Sequence, residues 1–63
     1  MTLEDILEIL PVGNTVRVVL NFEHNFLEGD VDSILCHTDN ATMKRDVTDI
    51  EPRNNILWIW TKE

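Results

Sequence analysis

One cysteine, one serine, two glycines and five basic residues are all that this 63-residue chain holds of those types. Each scarcity excludes something. A single thiol, Cys36, cannot form a disulfide within the chain, and it suits a reducing compartment. Gly13 and Gly29 are too few and too far apart for a glycine-rich phosphate loop. Ser33 is the only serine, His24 and His37 are the only histidines, and none lies in a recognised catalytic motif, so a hydrolytic triad is not expected. No apolar run approaches the roughly 20 residues that cross a bilayer. No basic segment followed by an apolar run opens the chain, as it would in a signal peptide. The expectation is a cytoplasmic, non-enzymatic protein.

The shortage of cations is matched by a surplus of carboxylates. Twelve Asp and Glu against five Lys and Arg leave a net charge of −7. Phosphate backbones and anionic membranes attract basic surfaces, so neither nucleic acid nor membrane is an expected direct partner. An acidic chain is steered instead toward a basic protein surface, such as that of a nucleic-acid-binding protein. Acidity also simply keeps a small protein in solution.

Sixty-three residues make one domain, spanning 1–63. A chain this short buries only about 60% of the surface it exposes when unfolded. TLEDILEIL, at 2–10, predicts an amphipathic helix. Leu3, Ile6, Leu7 and Leu10 fall on one stripe, Thr2 and Asp5 have capping-box spacing, and Pro11 stops the helix. TVRVVLNF alternates apolar and other residues as a half-buried strand does. EHN, at 23–25, connects it to a returning strand FLEGDV, in which Gly29 suggests a bulge or a close backbone approach. DSILCH is ambiguous and suits one helical turn. TDNATMKRD, at 38–46, reads as a polar loop that sets Lys44, Arg45 and Asp46 at the surface. DVTDIE, a turn at PRNN and ILWIWT complete a second hairpin. The fold class is α+β, with the N-terminal helix packed on a three- or four-stranded antiparallel sheet.

The last strand raises the functional question. Trp58 and Trp60 share one face, Leu57 and Ile59 the other, so both faces are apolar. A sheet curled into a half-barrel would bury both. Otherwise one face is an exposed patch, and tryptophan there marks an interaction site, for a foreign partner or for a homodimer formed through the last strand. Glu28, Asp30 and Asp32 are spaced by two and would line one strand face, with Glu23 nearby. Such a row imitates the charge of a nucleic-acid backbone, or it is the solvated face of an edge strand. The metal alternative is zinc on Cys36, His37, His24 and Asp39, which carry zinc-type ligand atoms but lack the spacing of a recognised motif. Glu28, Asp30 and Asp32 lack the ligand count of a calcium loop.

LEDILEILP, NTVRVV, FLEGDVDSIL and DVTDIEPRNNILWIW together resemble a group of small acidic proteins of Gram-positive phages, prophages and mobile elements. The resemblance covers nearly the whole chain. It departs at the end, where Trp58, Trp60 and a polar Thr-Lys-Glu tail replace an aliphatic finish. Some small acidic phage proteins inhibit bacterial defence, including anti-CRISPR proteins that bind a nuclease and block DNA loading. The resemblance therefore implies an inhibitor that binds a basic, nucleic-acid-handling host protein. It carries over no catalytic residue.

Overall fold

The computed structural model describes residues 1–21 and 25–62. Helix α1, Leu3–Ile9, forms where the apolar stripe predicts it and buries Leu3, Ile6 and Leu7. Both halves of the capping box are made. Asp5 N–H donates to Thr2 Oγ1 at 3.2 Å, and Thr2 N–H donates to Asp5 Oδ2 at 3.0 Å. Leu10 leaves the helix in an extended conformation, as a residue before proline does.

Four strands follow, β1 (Thr15–Val19), β2 (Phe26–Asp30), β3 (Asp46–Arg53) and β4 (Ile56–Lys62), in the sheet order β2-β1-β4-β3. The two hairpins, β1 with β2 and β3 with β4, are antiparallel. The α+β class and the N-terminal helix are as expected, but the sheet is mixed rather than wholly antiparallel, because β1 and β4 lie side by side in parallel. The cause is the connection between the hairpins. It contains two helices, α2 (Val31–His37) and α3 (Asn40–Met43), which carry the chain across the sheet before the second hairpin starts. DSILCH is thus a helix. The stretch 38–46 is not simply a loop. Asp39 caps α3 by accepting from Thr42 N–H at 3.0 Å, and Met43 enters the core. A four-residue helix with one inward side chain has no periodicity to read.

One turn and one expected bulge also differ from expectation. Pro52 and Arg53 belong to β3, and the hairpin turns at Asn54 and Asn55, with φ of 52° and 66°. Asparagine tolerates that left-handed region, and positive φ at both central residues matches the twist of a tight hairpin. Pro52 is accommodated because β3 is an edge strand. Gly29 makes no bulge and pairs in register with Val16; a Cβ there would meet only Ser33 and Ile34 at 3.9 Å. The register shift lies instead between Val47 and Asp49.

All three helices contribute to one core. Leu3, Ile6 and Leu7 from α1, Val31 and Ile34 from α2 and Met43 from α3 pack with Val16, Val18 and Ile59 of the sheet. Register sets the faces. Val16 and Val18 lie beside Leu57 and Ile59, so Arg17 and Val19 lie beside Trp58 and Trp60 on the opposite face.

Arg45 secures one end of this arrangement. It is half-buried, not displayed at the surface. Its Nε donates to Thr61 Oγ1 at 3.0 Å, and its Nη2 donates to the Leu20 carbonyl at 2.7 Å and to Asn21 Oδ1 at 2.9 Å. The buried Thr61 hydroxyl in turn donates to the Val19 carbonyl at 2.9 Å. One guanidinium thus ties the α3–β3 junction to the ends of β1 and β4. The start of the chain closes onto the same region, since Leu3 N–H donates to the Arg45 carbonyl and Val47 N–H to that of Met1.

Candidate functional site

The sheet face that packs on the helices contains Val16, Val18 and Ile59. The buried side chains of the helices pack on that face, and on the opposite one β1, β2, β3 and β4 present Arg17, Phe26, Glu28, Asp49, Glu51, Arg53, Trp58 and Trp60. Alternation places them. Residues i and i+2 share a face, and directly paired residues project to the same side.

These side chains form an ordered array. Trp58 and Trp60 stack at 5.6 Å between ring centroids with 27° between planes. The Arg17 guanidinium lies 4.3 Å from the Phe26 centroid and 4.6 Å from that of Trp58, so it bridges β2 to β4 across β1. Arg53 lies 4.9 Å from Trp58 and 5.2 Å from Trp60. Each guanidinium also has a carboxylate. Arg17 pairs with Glu28, directly opposite it in the β1–β2 ladder. Arg53 donates through Nε at 3.2 Å and Nη2 at 2.9 Å to Glu51 Oε2. Surface ion pairs contribute little energy each, and cation–π contacts at exposed sites about 0.5–1 kcal/mol. Their combined effect is geometric, holding two large rings in one orientation.

The rings are half-buried, and Phe26 is 39% exposed. The sheet does not bury both faces, since Phe26, Trp58 and Trp60 all keep part of their surface open. Val19 is nonetheless buried on the aromatic side. Around the rings the open face is acidic. Glu28 and Asp30 lie on edge strand β2, Asp49 and Glu51 on edge strand β3.

The acidic row is broken as a row. Glu28 is on β2 and engaged by Arg17, Asp30 ends β2 and occupies the N-cap of α2, and Asp32 is in the first turn of that helix. The β1–β2 ladder ends at the Thr15–Asp30 pair, and the chain continues as α2 with Val31 and Ile34 in the core. Glu23 and His24 lie outside the described residues. Cys36 and His37 are exposed in the last turn of α2, and Asp39 uses its carboxylate to cap α3. Consecutive helical residues project about 100° apart, so Cys36 and His37 diverge. No three His, Cys, Asp or Glu side chains are grouped to hold a metal among the described residues. Strand β4 is interior to the sheet, with β1 and β3 on its two sides, so dimerisation by strand addition at β4 has no free edge; the Trp58–Trp60 face stays open to contact.

Among the described residues, two carboxylates titrate below the ordinary aspartate range. Asp5 is held down by the Thr2 backbone N–H and then by the Thr2 hydroxyl. Asp39 is held down by hydrogen bonds from Thr42. Both take part in helix-capping hydrogen bonds, Asp5 as the N3 residue of the α1 capping box and Asp39 as the N-cap of α3, so these shifts report on folding. Sequence reasoning found the tryptophans and Glu28 but missed Arg17, Arg53, Phe26 and Asp49. The available signal was Arg17, which alternates with Val16 and Val18 and so had to face away from the core. No helix among the described residues is long and apolar enough to cross a membrane.

No family model, curated protein or solved structure matches this chain.

Proposed function

We propose that this chain is a non-enzymatic binding module that docks through its open sheet face onto a protein partner with a basic surface. One observation carries the reading. Phe26, Trp58 and Trp60 are braced by Arg17 and Arg53 on the face opposite the helices, with carboxylates on both flanking edge strands. Tryptophan and arginine are the residues that most often anchor protein interfaces, and charges around such a centre govern approach and partner choice.

The basic partner follows from charge. Arg17 and Arg53 are neutralised by Glu28 and Glu51, while Asp30, Asp32 and Asp49 have no ion-pair partner among the described residues. With a net charge of −7, the surface complements lysine and arginine. A basic nucleic-acid-handling protein fits that description. Covering its nucleic-acid surface would block loading, which is the inhibitory role implied by the likeness to small acidic phage and mobile-element proteins, anti-CRISPR proteins among them.

The test is capture from bacterial lysate by wild type beside a Trp58→Ala/Trp60→Ala variant, followed by a nucleic-acid-binding assay on the captured protein. The expected result is a basic protein held by wild type only, whose nucleic-acid binding falls as the module is added. Equal capture by both chains, or no effect on nucleic-acid binding, refutes the reading.

A further inference from the structure

The open face repeats one unit. An aromatic ring, a carboxylate on an edge strand and a guanidinium come together twice: Phe26 and Trp58 with Glu28 and Arg17, then Trp58 and Trp60 with Glu51 and Arg53. Trp60, whose ring Arg53 reaches at 5.2 Å, also meets a second carboxylate that has no cation of its own. Asp49 lies directly opposite Trp60 in the β3–β4 ladder, on the same face. Its Oδ1 accepts from the Ile50 N–H at 2.9 Å, which orients the carboxylate, and Asp49 has no ion-pair partner among the described residues. Lys62, two residues beyond Trp60, is paired in register with Asp46.

We propose that Trp60 and Asp49 form a subsite for an arginine side chain of the partner, which completes the repeat. This rests on the docking reading above and names the chemistry its partner must present. The incoming guanidinium stacks on the Trp60 ring and donates to the free Asp49 oxygen, as Arg17 does with Trp58 and Glu28. A planar, weakly hydrated guanidinium suits this combination of ring face and carboxylate better than an ammonium. The subsite lies at the register shift between Val47 and Asp49, where the ladder is locally interrupted, and bulges re-aim side chains in this way.

The probe is N-acetyl-arginine amide, with N-acetyl-citrulline amide as the neutral isostere, titrated into ¹⁵N-labelled protein and followed by NMR. The indole N–H signals are assigned with Trp58→Phe and Trp60→Phe. A saturable shift of the Trp60 indole and of the Asp49 and Ile50 amides is expected with arginine, at millimolar affinity, and not with citrulline. Asp49→Asn is expected to weaken binding about three- to tenfold, the combined loss of one exposed ion pair and its alignment on the ring. Lys62→Gln is expected to leave it unchanged or stronger. No saturable shift at Trp60, the same response to citrulline, or undiminished affinity in Asp49→Asn overturns the subsite. Should Asp49→Asn still capture the lysate partner that Trp58→Ala/Trp60→Ala loses, the arginine subsite fails while the docking reading stands. A saturable arginine site without any captured partner separates the two in the other direction.

Discussion

Replacing Thr61 with valine keeps the shape of the side chain and removes one hydroxyl. The structure predicts a large effect. Thr61 is only 8% exposed, and its Oγ1 both accepts from Arg45 Nε at 3.0 Å and donates to the Val19 carbonyl at 2.9 Å. A hydrogen bond to a charged group contributes about 1.5–3 kcal/mol and a neutral one about 1 kcal/mol, and a buried partner left unmatched carries its desolvation cost as well. Valine recovers a little through apolar burial and strand preference, so the net loss is about 2–3 kcal/mol. A chain of this size has roughly 3–9 kcal/mol of stability in total. In urea, with a slope of about 1 kcal/mol/M, the midpoint should fall by about 2–3 M. Thr61→Ser keeps the hydroxyl and removes a methyl, which costs about 1 kcal/mol. The expected order is therefore wild type, then Thr61→Ser, then Thr61→Val. If Thr61→Val matches or exceeds Thr61→Ser, the hydroxyl relay does not hold the strands and the account of Arg45 as their tie is wrong.

Ile59 is fully buried between Val18 and Ile50 in the ladder, so Ile59→Ala should cost about 2–5 kcal/mol, while Ile9→Ala at a 73% exposed position should move the urea midpoint little. Asn54 and Asn55 hold positive φ, so Asn55→Gly should be neutral or stabilising by thermal melt, and Asn55→Val should destabilise by about 1–2 kcal/mol. Asp5 and Asp39 titrate lower in the folded chain than in the unfolded one; their contribution is complete above the ordinary aspartate value of about 3.9 and is lost as pH falls through the lowered folded values. Asp5→Asn with Asp39→Asn should therefore flatten the decline in stability on the acid side of pH 4 and leave the remainder of the profile parallel to wild type. The Trp58–Trp60 stack should give an exciton signal in far-ultraviolet circular dichroism that either Trp→Phe substitution removes, and Arg53→Met should weaken it by releasing both rings.

Local chemistry in the sequence was enough to determine α1 and both hairpins. Thr2, Asp5 and the Leu3–Ile6–Leu7 stripe act within one turn of each other, and the alternation of Val16, Arg17 and Val18 is a property of neighbours. The same alternation put Trp58 and Trp60 on one side of a strand and Leu57 and Ile59 on the other. Which side would be covered was decided by tertiary structure. It depended on α2 and α3 entering the same core as α1, and the chain carries no local mark of that beyond Val31, Ile34 and Met43. The acidic row dissolved with it, because the β1–β2 ladder ends at Asp30 and the backbone enters α2 before Asp32. The parallel pairing of β1 with β4 joins residues some 40 positions apart, and it alone brings Arg17 beside Trp58. Contacts of that range depend on how the hairpins are laid together, a global balance of burial that no short window of sequence contains.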